Sequence, residues 1–101
     1  MALFLVRMTV ELPADLDPGQ RKELLDSESE YSQRLQRSGR WRHLWRVAGR
    51  FGNVSVFDAA DNDELHAMLW DLPLFPYLSL EITPLSAHPS RIPFDEIAFN
   101  D

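Results

Sequence analysis

An acidic side chain on the apolar stripe of a predicted helix is the clearest candidate for chemistry in this sequence of 101 residues. On a helical wheel Glu28 falls between Leu25 and Leu35, on the stripe that a helix turns toward the core. Burial raises the pKa of a carboxyl from about 4.3 toward neutrality, where a general base works at pH 7. The alternative is structural, with Glu28 in an ion pair with Arg7 or with an arginine of segment 40–48.

Segment 40–48 (RWRHLWRVA) alternates basic and aromatic side chains. The alternation predicts a strand with Trp41, His43 and Trp45 on one face and Arg42, Leu44 and Arg46 on the other. Two arginines on one face can hold a carboxylate by paired hydrogen bonds, although a solvated or subunit-contacting face would have the same composition. His43 is either a group in a site or a member of a stacked aromatic cluster.

Composition and charge exclude several classes of function. The sequence has no cysteine, its three histidines lack metal-ligand spacing, and it has no glycine-rich phosphate loop, so we expect neither metal nor cofactor. The net charge is −6, yet residues 21–50 carry eight basic and four acidic side chains, which favours a small anionic ligand or a protein contact over nucleic acid. Arg7 and Glu11 interrupt the first apolar run, so we expect no membrane span and a cytoplasmic protein.

The predicted elements follow the order strand, helix, strand, strand, helix, strand. They cover residues 3–10, 18–38, 40–48, 53–57, 61–71 and 77–83, and Asp17 is the expected cap of the first helix. This order is typical of the α+β ferredoxin-like fold, βαββαβ, an antiparallel sheet with two helices on one face. The prediction assigns residues 1–84 to that fold and residues 85–101 to an extended C-terminal arm of the same domain.

The first strand predicts how copies of the chain associate. Apolar residues lie on both of its faces, so we expect a second subunit to cover the open face of the sheet. The protein should therefore be a homo-oligomer that assembles through the sheet and the arm.

Four segments resemble one enzyme family. They are VRMTVELP (6–13), QRLQRSGRWRHLWRVAGRFGNVSVFD (33–58), DELHAMLWDLPLFPY (63–77) and HPS (88–90). Together they closely resemble the muconolactone isomerases of bacterial aromatic degradation through the β-ketoadipate pathway, over residues 3 to about 92. The resemblance implies a ferredoxin-like fold in a large homo-oligomer, with a decamer expected. The family also includes chloromuconolactone dehalogenases, and segment 49–53 (GRFGN) departs from the isomerase pattern, so both activities remain open from the sequence.

The resemblance also implies a reaction and a set of site residues. A muconolactone delta-isomerase shifts a proton on a small lactone carboxylate without cofactor or metal. The implied catalytic residues are Glu28 as the base, with His43 and Tyr77 as hydrogen-bond donors. The implied substrate-binding residues are Asn53 as a donor and Arg7, Arg42 and Arg46 as candidate cations.

Two alternatives belong to other classes of function. One is a non-catalytic, ligand-binding dimeric ferredoxin-like barrel, and the other is an interaction module. Turnover of muconolactone distinguishes the enzyme from both.

Overall fold

In the computed structural model, which describes residues 2–93, two helices cover one face of a four-stranded antiparallel sheet. The elements are β1 (Ala2–Val10), α1 (Pro18–Arg37), β2 (Trp41–Arg46), β3 (Gly52–Ala59), α2 (Asn62–Trp70), a 3-10 helix (Phe75–Tyr77) and β4 (Leu78–Leu85). The sheet order is β2-β3-β1-β4. The predicted βαββαβ fold is confirmed. No described helix is long and apolar enough to cross a bilayer.

The core lies between the sheet and the helices. Alternate residues of β1, namely Phe4, Val6 and Met8, are at most 4% exposed and pack with residues of β3 and α2. The intervening residues of β1 point to the other side of the sheet, which we call the outer face. The helices therefore bury one face of the sheet and leave the outer face open within a single chain.

The ends of α1 follow from local chemistry. The Asp17 carboxylate accepts hydrogen bonds from the backbone N–H groups of Gly19 (3.0 Å) and Gln20 (3.2 Å). Pro18 occupies the first turn, where its missing N–H leaves no partner unsatisfied. Gly39 follows the helix with a φ of +84°, a left-handed conformation that favours glycine. The predicted boundaries of this helix are therefore correct to within one residue.

A β-bulge makes the predicted faces of β2 wrong. Trp41 lies opposite Phe57 and His43 lies opposite Val56, so β2 contains one extra residue at this point. Beyond the bulge the alternation is shifted by one residue. Leu44 and Arg46, instead of His43 and Trp45, therefore share the helix-covered face with Trp41.

The last strand also differs from the prediction. It begins at Leu78 rather than Tyr77 and continues past residue 83 to Leu85, so the first residue assigned to the arm belongs to the strand, as does Pro84. Because β4 is an edge strand, the missing N–H of Pro84 costs the sheet no required hydrogen bond. Residues 86–93 are exposed and form no helix or strand, and the part of the predicted arm at 94–101 lies outside the described residues.

Gly52 allows the close approach of β3 to β1 beside the β2–β3 connection. A Cβ atom at this position would lie 2.5 Å from the backbone oxygen of Met8. We expect Gly52→Ala to lower the free energy of unfolding by about 1–3 kcal/mol, because backbone must shift to admit the methyl group. Urea denaturation checks this, with the exposed substitution Ser79→Ala as the control. A Gly52→Ala midpoint equal to that of wild type would show that the strands separate there without cost.

Candidate active site

A cavity of about 500 Å³ lies on the helix-covered side of the sheet. Its wall combines residues of α1, all four strands, the β2–β3 connection and the loop before β4. Most of the lining is apolar, and the polar side chains in it are Glu28, Ser29, Ser32, Arg46, Asn53 and the indole of Trp41. A few polar groups in an apolar cavity of this size are typical of a site for a small molecule.

Glu28 brings a half-buried carboxyl to the cavity wall. Its Oε1 accepts a hydrogen bond of 2.9 Å from the backbone N–H of Leu74, and within residues 2–93 it has no ion pair with an arginine. Burial raises the pKa of Glu28, and the Leu74 hydrogen bond opposes that shift without cancelling it. The Leu74 N–H thus binds one oxygen of the carboxyl, and the other oxygen is available to a ligand.

Arg46 and Asn53 are paired across β2 and β3 and both reach the cavity. The Arg46 guanidinium lies 5.6 Å from the centroid of the Phe51 ring and forms no salt bridge with any residue of the described chain. The Asn53 Oδ1 accepts a 2.7 Å hydrogen bond from Ser55, which directs the amide N–H groups of Asn53 to other partners. The cavity therefore offers a carboxylate ligand a cation and an amide donor side by side.

Trp41 contributes a polar atom without a partner. The residue is 2% exposed, and its ring packs against Phe57 with centroids 4.6 Å apart. Its Nε1 atom is buried and has no hydrogen-bond acceptor among residues 2–93. An unsatisfied buried donor costs about 1–3 kcal/mol, so a ligand oxygen in this cavity would gain from accepting this hydrogen bond.

Two predicted site residues lie on the outer face of the sheet. His43 stacks on Trp45 with ring centroids 5.0 Å apart, as the aromatic-cluster alternative described. Arg7 is exposed, and its guanidinium is 3.9 Å from the Glu81 carboxylate instead of pairing with Glu28. Neither side chain reaches the cavity of Glu28 within one chain.

The two remaining predicted residues are also absent from the cavity wall. Arg42, at the bulge, is 3.6 Å from Asp58 and borders a separate polar hollow near the end of α1. Tyr77 is half-buried in the 3-10 helix, although its neighbour Leu78 lines the cavity. Of the seven predicted residues, the structure brings together Glu28, Arg46 and Asn53.

Four polar groups of the cavity wall were not predicted as functional, namely Ser29, Ser32, the Trp41 indole and the Leu74 N–H. Ser32 is 7% exposed and follows Glu28 by one helical turn, so the signal that identified Glu28, a polar residue on an apolar stripe, also marks Ser32. The Leu74 N–H and the unpaired Trp41 indole carry no such signal. Both depend on contacts between segments that are distant in the sequence.

Comparisons with known proteins identify one family. The family model for muconolactone delta-isomerase matches residues 2–91. A muconolactone Delta-isomerase of Rhodococcus opacus is 54% identical over 92 residues, which are 91% of this chain and 99% of that protein. The corresponding enzyme of Pseudomonas aeruginosa is 53% identical over 94 residues, 93% and 98% of the two chains. A crystal structure of muconolactone isomerase at 3.3 Å resolution superposes with a TM-score of 0.85 and 53% identity, over 89% of this chain and 94% of the other.

Proposed function

The chain belongs to the muconolactone delta-isomerase family, and from this premise we propose how its cavity isomerises muconolactone. The substrate is an unsaturated five-membered lactone with an acetate arm. The reaction moves one proton from the ring carbon that bears the arm to the ring carbon next to the carbonyl. The double bond shifts by one position, and no atom or electron is gained or lost.

Glu28 is the base of the proposed mechanism. Its free carboxylate oxygen takes the proton from the ring carbon that bears the arm, and the charge left behind delocalises onto the lactone carbonyl oxygen. The same carboxyl, now protonated, returns the proton to the carbon next to the carbonyl. The observation that carries this proposal is the half-buried Glu28 with a raised pKa, because a base of ordinary Glu pKa would hold the proton too weakly.

Arg46 and Asn53 bind the acetate arm in this mechanism. The arm is a carboxylate, and Arg46 is the one arginine in the cavity wall described. Its neighbour Asn53 adds a neutral donor from the facing strand. Holding the arm fixes the ring relative to Glu28, which is the positional requirement for proton transfer.

Ultraviolet absorbance tests the function directly. In muconolactone the double bond is conjugated with the carbonyl, and in the product it is not, so turnover lowers the absorbance of the conjugated system. Saturable binding without any absorbance change would contradict the enzyme and support a ligand-binding protein. Chloride release from a chlorinated muconolactone, without turnover of muconolactone itself, would identify a dehalogenase instead.

We further propose that the outer face of the sheet is the contact surface of a homo-oligomer, with a decamer expected. Leu5 and Val56 lie on this face, and so do Trp45, 55% exposed, and Leu85, 41% exposed. An apolar surface of this kind on an isolated chain is typical of a protein interface.

Sedimentation should therefore give a mass several times that of the 11.7 kDa chain. Trp45→Arg should lower that mass, because it puts a charge into the proposed interface. Trp70→Arg is the matched control, since Trp70 is 58% exposed but belongs to α2. A wild-type mass near that of one chain at micromolar concentration would exclude the assembly.

A further inference from the structure

The unpaired indole of Trp41 is a polar group of the cavity wall that the proposed mechanism has not used. It is buried, it lines the same cavity as Glu28, and its N–H has no acceptor among residues 2–93. In the proposed reaction the lactone carbonyl oxygen becomes negatively charged when the proton leaves the ring carbon. The mechanism assigns no donor to that oxygen, because His43 lies on the outer face and Tyr77 is outside the cavity wall.

We propose that the Trp41 Nε1–H donates a hydrogen bond to the lactone carbonyl oxygen of the bound substrate and stabilises its enolate form. The proposal rests on the isomerase function proposed above. The bond strengthens as the oxygen gains charge, so it favours the transition state over the bound substrate. An indole N–H does not give up its proton under these conditions, so Glu28 alone transfers the proton.

The positions of Trp41 and Arg46 match the two ends of the substrate. Trp41 lies opposite Phe57 and Arg46 lies opposite Asn53, four residues apart on β3. At the usual rise this separates the backbone positions by roughly 13 Å, and both residues line the cavity between. In the substrate the carbonyl and the acetate arm project from the two carbons that flank the ring oxygen. A ligand held at Arg46 by its acetate can therefore present its carbonyl toward Trp41.

The bulge explains how these groups come to share a cavity. Trp41 precedes it and Arg46 follows it, and the two residues are five positions apart in the sequence. In a regular strand an odd separation would place them on opposite faces. The extra residue puts both on the side of Glu28.

Indole ¹⁵N–¹H spectra of the full-length protein test the contact itself. The probes are 5-oxotetrahydrofuran-2-acetate, a saturated lactone that cannot isomerise, and tetrahydrofuran-2-acetate, which lacks the carbonyl. The spectra of Trp45→Phe and Trp70→Phe identify the Trp41 signal, since the protein has three tryptophans. We expect the lactone at saturation to shift the Trp41 indole proton downfield and the ether analogue to shift it much less. Equal shifts with both probes, or none with the lactone, would overturn the proposal.

Kinetics of Trp41→Phe test the consequence. Phenylalanine keeps an aromatic ring against Phe57 and removes only the donor and part of the volume. We expect kcat to fall at least about tenfold with KM changed by less than about threefold, because the lost bond acts mainly in the transition state. Trp70→Phe, in the exposed α2 position, is the control and should match wild type. A folded Trp41→Phe enzyme with wild-type kcat would refute the role.

The two experiments separate failure of this inference from failure of the function. If wild type does not turn over muconolactone, the isomerase proposal fails, whatever the spectra show. If wild type turns it over while both analogues shift the indole equally, only the Trp41 proposal is overturned. If Trp41→Phe does not fold, the spectra of the protein with native Trp41 decide alone.

Discussion

Replacing Glu28 by Gln is expected to lower kcat at least about a hundredfold while the fold and the assembly remain. Glutamine keeps the shape of the side chain and an oxygen that can accept the hydrogen bond from Leu74, but it cannot take up the substrate proton. Removal of a general base costs about 10²–10⁴ in rate. Steady-state kinetics measure the effect, with circular dichroism and sedimentation as checks on the structure.

Glu30→Gln is the matched control for this experiment. Glu30 lies two residues further along α1, is exposed and does not line the cavity, so the same change of charge should leave kcat near the wild-type value. A folded Glu28→Gln enzyme with near-normal turnover would remove Glu28 from the mechanism. Because His43 lies on the outer face, it could then act as the base only if another subunit completed a cavity there.

The pH dependence gives an independent view of the same carboxyl. Because Glu28 must be ionised to accept the proton, kcat/KM of wild type should fall as the pH is lowered, with an apparent pKa above the ordinary value for Glu. The contribution of Glu28 to the free energy of unfolding should instead decrease as the pH rises. Burial raises the pKa of Glu28 in the folded state above its unfolded value, so its contribution to stability is complete below the unfolded pKa and is lost as the pH rises through the folded one.

Glutamine does not ionise, so the Glu28→Gln protein does not lose stability in this way as the pH rises. Its stability relative to wild type should therefore increase as the pH rises through that interval, although its activity is lower. Urea midpoints at several pH values measure the difference. A Glu28→Gln protein whose relative stability falls with rising pH would show that ionised Glu28 is stabilised in the fold by a partner.

Replacing Arg46 by Gln is expected to raise KM about tenfold to a hundredfold. A hydrogen bond to a charged group contributes about 1.5–3 kcal/mol, and the substitution removes the charge from the Arg46 position, which faces Asn53 across the sheet. Steady-state kinetics give KM, and direct binding of 5-oxotetrahydrofuran-2-acetate gives Kd. Wild type should bind this acetate much more tightly than the corresponding acetamide, and Arg46→Gln should lose that preference.

Arg42→Gln distinguishes the role of Arg42 from that of Arg46, the other arginine of β2. Arg42 belongs to the same strand but lies 3.6 Å from Asp58, beside the separate hollow, so its replacement should leave KM nearly unchanged. A large rise in KM for Arg42→Gln, with none for Arg46→Gln, would reverse the assignment. Unchanged kinetics in both variants would move the acetate to Arg7, which could meet a substrate only across a subunit contact on the outer face.

The sequence determined the features that depend on neighbouring residues. Asp17 and Pro18 begin α1, and the stripe of that helix places Glu28 toward the core, because capping and helical periodicity act within a few residues. The fold class also follows from local features. Each helix and strand is recognised by its own period of apolar residues, and the order of these elements indicates the fold. The half-burial of Glu28 follows from that same stripe.

Only the tertiary structure decided which groups surround Glu28. The bulge after Trp41 reverses the faces of β2, and the sequence carries no sign of it because each predicted face combines polar with apolar side chains. The hydrogen bond from Leu74 joins residues 46 positions apart in the sequence. Its donor is a backbone N–H, which every residue except proline has, so no residue type marks it in the sequence. Register and backbone contacts of this kind are set by the packing of whole elements. For this reason the position of Glu28 follows from the sequence, whereas the tertiary structure alone places Arg46 and the unpaired indole of Trp41 in the same cavity wall.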